Sequence, residues 1–198
     1  LDKMKDGFRY IANEKTIFGL VIVVAGVSFI GFGALTLVPV FAKDILQIGA
    51  EGFGHLLSAQ GVGALLGASL LIFFGDNFHK GKMLIISRSL LGPGIIGLAF
   101  SRTPWFSMVM MGLIGYSFIT QLVITNTLIQ TIAPDELRGR VLSTYTWAIG
   151  GFYPLGSLVM GYLGDQIGAP TTAIIAGTSC IILAVSSIIL FPSVKKLT

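Results

Sequence analysis

Polar side chains are scarce in the apolar stretches of this chain, and one group of them recurs at helical spacing. Tyr116, Thr120, Thr127 and Gln130 fall within an arc of about 80° when wound at about 100° per residue, and Asn126 borders that arc. Gln60 is an isolated amide in an earlier apolar run. The chemistry open to these groups is hydrogen bonding. An amide facing hydrocarbon is costly, so each is expected to face either another helix or a polar cavity that a small-molecule substrate crosses. Phe29 and Phe32 are open to two readings as well, as core packing or as an aromatic surface for an apolar substrate.

A second group carries charge: Asp76, Lys80 and Lys82 follow one apolar run, and Arg138 and Arg140 precede another. A carboxylate beside a helix N-terminus gains about 0.3–1 kcal/mol from the macrodipole. Contacts of that kind, made in only one conformation, bias an open/closed equilibrium. Gating is therefore one expectation for these residues; a plain topology signal with solvated charge is the other. Gly92, Pro93, Gly94 and Pro154 interrupt helical runs and should kink or hinge them, whereas Gly63 and Gly67 form a small-xxx-small pair suited to close helix packing.

Bond-breaking chemistry lacks its parts. His55 and His79 are expected at opposite membrane faces, so no Ser/His/Asp set can assemble, and no enzyme activity is expected. One cysteine, Cys180, and two histidines in separate loops give no metal site. The run Gly75–Met83 superficially resembles a phosphate loop. It has one residue too many between its glycines, and Met83 stands where the magnesium ligand should be. No cofactor is expected. No basic face with interleaved aromatics is present, so nucleic acid is not an expected partner.

The elements that must position these residues follow from composition. Of 198 residues, 54% are hydrophobic and 11% charged, against about 25% charged in soluble domains; mean hydropathy is +0.87. The solvent for such a chain is lipid. Six apolar runs occur, Ile17–Phe41, His55–Phe74, Met83–Phe100, Trp105–Ile132, Val141–Leu163 and Pro170–Phe191, none with an Asp or Glu. Each approaches or exceeds the about 20 residues of a spanning helix. Period-two alternation is missing, which argues against a membrane barrel. The expectation is an all-α integral membrane protein: a cytoplasmic linker or surface helix over 1–16, six transmembrane helices over 17–192 and a cytoplasmic tail over 193–198. Trp105 is expected as an interfacial anchor, and Arg88, inside the third run, is expected to snorkel to the interface.

Lysine and arginine gather on one side of this topology. Lys3, Lys5, Arg9, Lys15, Lys80, Lys82, Arg138, Arg140, Lys195 and Lys196 fall together, against Lys43 and Arg102 on the other. The positive-inside rule then puts both termini in the cytoplasm of a cell-membrane protein.

An internal match adds order. The second helix ends Leu66-Gly67…Gly75-Asp76, and the fifth ends Leu155-Gly156…Gly164-Asp165, with equal spacing. Each is the middle helix of a three-helix set, and the sets have opposite orientation, the pattern of an inverted 3+3 repeat.

Several segments together carry a resemblance. They are Thr125-Asn126-Thr127-Leu128-Ile129-Gln130-Thr131, Pro134-Asp135-Glu136-Leu137-Arg138-Gly139-Arg140, Pro154-Leu155-Gly156-Ser157 and Gly161-Tyr162-Leu163-Gly164-Asp165, with Gly54-His55-Leu56-Leu57 and the stretch Gln60–Gly67. Over nearly its whole length the chain resembles the C-terminal half of a major facilitator superfamily transporter, in the bacterial branch of enterobactin exporter-like and macrolide efflux-like proteins. The resemblance implies half of a twelve-helix fold, with an N-terminal six-helix bundle as missing partner. It implies a substrate path lined by the first and fourth helices, and alternating access. The loop at Asp76 resembles the family's Gly-x-x-x-Asp-Arg-x-Gly-Arg-Lys loop in degenerate form: Ile72 replaces the first Gly, Asn77 the Arg, and Gly81 comes two positions late.

The functional expectation is a proton-coupled exporter of small amphipathic molecules. Its titrating carboxylate would lie in the missing half, unless Asp44 or Asp165 serves. The alternative is a non-transporting membrane scaffold or assembly factor of the same fold. The opening Leu1 and the absence of a leader suggest a fragment, a processed product or a trimmed chain.

Overall fold

The computed structural model describes residues 10–74 and 80–190. Among these the long elements are all helical: α1 Lys15–Ile45, α2 Gly49–Phe74, α3 Lys80–Phe100, α4 Pro104–Ile132, α5 Asp135–Ile167 and α6 Ala169–Leu190. The apolar runs coincide closely with these helices, and α5 extends furthest beyond its run at both ends. Lys15, Lys80, Lys82, Arg138 and Arg140 fall at one end of the bundle, and Lys43 and Arg102 at the other.

The boundaries have local causes. Thr103 is extended and Pro104 opens α4, where a missing N–H costs nothing. Ala133 precedes Pro134, which pushes it out of the helical region, and α4 ends there. Asp135 and Glu136 then occupy the first turn of α5, where the helix dipole favours acids. Gly168, at φ 86 and ψ 147, separates α5 from α6. A side chain is strained in that region whatever the space. Gly168→Ala should therefore cost about 2 kcal/mol, read as a lower melting temperature, although the nearest atom to a new Cβ is 3.9 Å away.

The first helix is not regular, which nothing in the sequence reading anticipated. It passes through a π-turn at Ser28–Phe32, a 3-10 turn at Leu35–Leu37 and a second π-turn at Phe41–Ile45. Pro39 accounts for the middle: it has no N–H for the carbonyl of Leu35, and its ring crowds that carbonyl. The kink expected at Gly92-Pro93-Gly94 is not seen as a break. Helix α3 runs through Pro93, whose side is exposed.

Three glycine contacts set the packing. A Cβ on Gly63 of α2 would fall on the Gly112 backbone of α4, 2.6 Å from its carbonyl carbon. A Cβ on Gly33 of α1 would lie 2.7 Å from the Gly156 carbonyl carbon of α5. Gly92 of α3 and Gly177 of α6 face each other: a Cβ on either would lie 2.6 or 2.8 Å from the other's carbonyl oxygen. With little hydrophobic drive between helices in lipid, such close backbone approach is what holds them.

Two apolar clusters are stacked along the bundle. One holds Leu91, Ile114, Phe118 and Cys180; the other, toward the end with Lys80 and Arg138, holds Leu20, Leu84, Ile124, Leu128 and Tyr145.

Five of the six helices are long and apolar enough to cross a membrane; α5, with 33 residues, is not among them. It carries Asp135, Glu136, Arg138, Arg140 and Asp165 toward its ends and hydroxyls within, several of them returned to its own backbone. Ser143 donates to the Gly139 carbonyl at 2.8 Å, Thr144 to Arg140 at 3.1 Å and Thr146 to Leu142 at 2.9 Å. Side chains satisfied at i−4 are polar by composition while leaving few free donors.

Candidate substrate path and gate

Helix α4 carries most of the polar stripe, and the structure divides it. Toward the basic end the amide of Gln130 donates to Asn126 Oδ1, one turn away. Gln130 is exposed and Asn126 half-buried. Thr127 donates to the Val123 carbonyl at 2.9 Å and lines a cleft between α2 and α4. That cleft has a volume of about 320 Å³ and is also lined by Ala68, Leu71, Ile72, Val123, Ile124 and Lys80. Thr127 and Lys80, called on separate grounds, thus share one pocket.

Higher on the stripe the arrangement closes. Thr120 is fully buried, and its Oγ1 would lie 2.7 Å from a Cβ on Gly67. Tyr116 is half-buried, with its carbonyl against the same glycine. Gln60 is half-buried, and its carbonyl meets Gly115. These three lie where α2 and α4 touch.

The aromatics form a graded cluster. Phe32 stacks on Phe118 with ring centroids 3.8 Å apart and planes 20° apart, and meets Tyr153 of α5 edge-on at 6.1 Å. Phe118 is 4% exposed and Tyr153 44%. The cluster therefore runs from the core out to a side of the bundle. Apolar side chains are exposed on several helices: Leu65, Ile72 and Phe73 of α2, Trp147, Leu158 and Tyr162 of α5, and Ile189 of α6 are each at least 66% exposed, and α2 is the least buried of the apolar helices.

Asp76 lies outside the described residues. Of the basic gating candidates, Lys82 is exposed, and Arg138 pairs with Asp135 at 2.6 Å across one turn. Such an exposed pair contributes little stability. Arg140 is half-buried. Pro154 lies within α5, on its exposed side. The described carboxylates sit at helix ends, Asp44 and Asp165 among them, both exposed. A recess of about 200 Å³ at the other end joins His55 to Glu51. Among the described residues, no three His, Cys, Asp or Glu side chains come together to hold a metal.

The structure overturns one expectation outright. Arg88 does not snorkel: it is 3% exposed, with Nε and Nη2 buried and unpartnered among the described residues. Its position in α3 turns it inward, within electrostatic reach of Tyr145 of α5.

Comparison with known proteins fits this arrangement. Residues 1–197 match the model of a family described as transmembrane secretion effector. The chain is 24% identical to the enterobactin exporter EntS of Shigella flexneri, over 99% of this chain and 46% of that protein. It is 27% identical to the multidrug efflux pump Tap of Mycolicibacterium fortuitum, over 73% and 35%. To the uncharacterized MFS-type transporter YfmI of Bacillus subtilis (strain 168) it is 21% identical, over 92% and 45%. The chain therefore spans about half the length of the curated relatives it matches. With its apolar helices and this family match, the chain is a multi-pass membrane protein that belongs to the transmembrane secretion effector family of the major facilitator superfamily.

Proposed function

We propose that these residues form the C-terminal half of a secondary active transporter that works by alternating access, exporting small amphipathic molecules against a proton gradient. The observation that carries this reading is the pairing of two facts: the chain spans 46% of EntS and 35% of Tap, both exporters by name, and α2 and α5 expose large apolar side chains. A second six-helix bundle would cover these side chains and leave a cavity between the halves. Within it we assign the substrate path to Gln60, Tyr116, Thr120, Asn126, Thr127 and Gln130, and gating to Asp76, Lys80, Lys82, Arg138 and Arg140. Gly92, Pro93, Gly94 and Pro154 are the assigned hinges.

The inverted 3+3 repeat belongs to the same proposal, with α5 as the sixth span. Exchanging α1 with α4, α2 with α5 and α3 with α6 turns the Gly63–Gly112 crossing into the Gly33–Gly156 crossing. It returns the Gly92–Gly177 crossing to itself. Gly67 and Gly156, the glycines matched in the sequence, each meet the exchanged partner helix.

Two measurements test the reading. Full-length protein in vesicles with a pH gradient should move an amphipathic fluorescent dye faster than protein-free vesicles, and collapsing the gradient should stop it. Dye movement that survives the collapse removes proton coupling; no movement for a panel of amphipathic dyes favours a scaffold. For topology, Lys43→Cys should react with an impermeant maleimide from outside the cell only, and Lys82→Cys only after the membrane is opened. Labelling of both from one side sinks the six-span arrangement.

A further inference from the structure

Arg88 lies in a buried polar layer that separates the two apolar clusters. Gly31 of α1 packs against Leu91 of α3 and Phe118 of α4, which puts these three at one level of the bundle. Three residues toward the basic end on each helix stand Ser28, Arg88 and Gln121. Three residues advance a helix by about 4.5 Å and nearly one turn, so all three keep facing the same interior. Ser28 is 0% exposed, Arg88 3% and Gln121 1%. Tyr145 of α5 closes the layer: its hydroxyl donates to the Leu122 carbonyl at 3.0 Å, and it lies within electrostatic reach of Arg88. Leu20 and Leu128 lie beyond the layer on one side, Leu91 and Phe118 on the other.

The groups in this layer are unpartnered among the described residues. Ser28 Oγ, Arg88 Nε and Nη2, Gln121 Nε2 and Oε1, and Thr125 Oγ1, one turn along α4, have no hydrogen-bond partner there. Neighbouring hydroxyls are spent elsewhere: Ser87 on the Leu84 carbonyl at 3.0 Å, and Ser187 of α6 on Ala184 at 2.7 Å. The guanidinium cannot shed its proton. A buried unpaired cation is strongly destabilising, and the described carboxylates are all at helix ends. Water would satisfy the donors but leave the charge. The stock of Arg88 Nε and Nη2, Gln121 Nε2 and the Ser28 and Thr125 hydroxyls is a donor-rich, net-positive ring from three helices.

We propose that Ser28, Arg88, Gln121 and Thr125 form a binding site for a small monovalent anion, of the halide class, inside this half of the protein. The site is distinct from the path between the halves and does not rest on the transport reading. A bound halide neutralises Arg88 and ties α1, α3 and α4 together at the level where α1 makes its first π-turn.

The test is the melting of detergent-purified full-length protein in sodium chloride, bromide or gluconate at equal ionic strength. Chloride and bromide should raise the melting temperature saturably while gluconate does not, since a ligand bound only by the folded state stabilises it. Arg88→Met should abolish the chloride dependence. Gln121→Leu, which keeps the charge and removes one donor, should raise the half-saturating chloride concentration by about tenfold, the equivalent of one hydrogen bond. Should Arg88→Met fail to fold, the Gln121→Leu midpoint decides alone. Identical melting in chloride and gluconate overturns the proposal, and so does a chloride midpoint unchanged by Gln121→Leu.

Discussion

Gly63→Ala is expected to cost more than about 3 kcal/mol, and Gly63→Leu to leave no folded protein. The new Cβ meets the backbone of Gly112, not the tip of a flexible side chain. Inserting atoms into a packed core typically costs about 1–3 kcal/mol when rotamers can give way. Here only separation of α2 from α4 relieves the overlap, and that forfeits the packing along both helices. Net stabilities are about 5–15 kcal/mol, so a loss of this size is a large share of the total. Gly156→Ala should behave alike, because its Cβ would meet the Phe29 backbone in α1. Gly139→Ala is the control: nothing lies within 4 Å, and alanine in a helix gains about 0.5–1 kcal/mol over glycine. Fluorescence-detected size exclusion and melting of the full-length protein read all three. A monodisperse Gly63→Ala protein that melts with the Gly139→Ala control would show that the α2–α4 crossing is looser than this contact requires.

These same glycines show what was legible in the sequence. Gly63 and Gly67 were readable as a packing pair because small-xxx-small spacing has a direct steric meaning. Its partner Gly112, and the Gly33–Gly156 crossing, were not readable, since one glycine in an apolar helix does not say which helix it meets. Helix existence was legible from run length: Met83–Phe100 and Lys80–Phe100 differ by three residues at one end. The sequence left α1 opaque in detail. Pro39 explains the 3-10 turn only once the structure is seen, and the first π-turn, at Ser28–Phe32, is packed against α5 and α6. Val141–Leu163 lacks acids, yet it is less apolar than the other five helices. Arg88 was misjudged for a different reason. Its distance from the helix end allowed snorkelling, and only the rotational phase of α3 against α4 decides that it turns inward.

The polar candidates divide along the same line. Asn126, Thr127 and Gln130 share a stripe with Thr120, and angular arithmetic cannot separate them. The difference is axial: α2 lies against α4 at Gly67 and Thr120, and toward the basic end a cleft lies between them, lined by both Thr127 and Lys80. A stripe on one helix specifies a direction, and the neighbouring helix's path decides where along it a cavity exists.

Phe118→Ala is expected to be the most damaging aromatic truncation, while Tyr153→Leu should spare the fold and strike transport. Phe118 is 4% exposed, stacks on Phe32 at 3.8 Å and touches the Gly31 level that joins α1, α3 and α4. Removing a buried ring costs about 3–5 kcal/mol, and the cavity would open beside the Arg88 layer, one turn away. Phe118→Leu, keeping most of the volume, should recover much of that loss. Tyr153 touches the same cluster only at its edge and is 44% exposed, so leucine there should change melting by less than about 1 kcal/mol. On the transport proposal, its exposed ring lies in the space between the halves. The dye-export rate per folded molecule should fall several-fold in Tyr153→Leu, and more for aromatic dyes than for aliphatic amphiphiles, because about 0.5–1.5 kcal/mol of ring–ring contact is lost. Equal loss for both dye classes would assign Tyr153 to closing the halves together. No loss for either would remove the cluster from the path and leave Phe32 and Phe118 as packing alone.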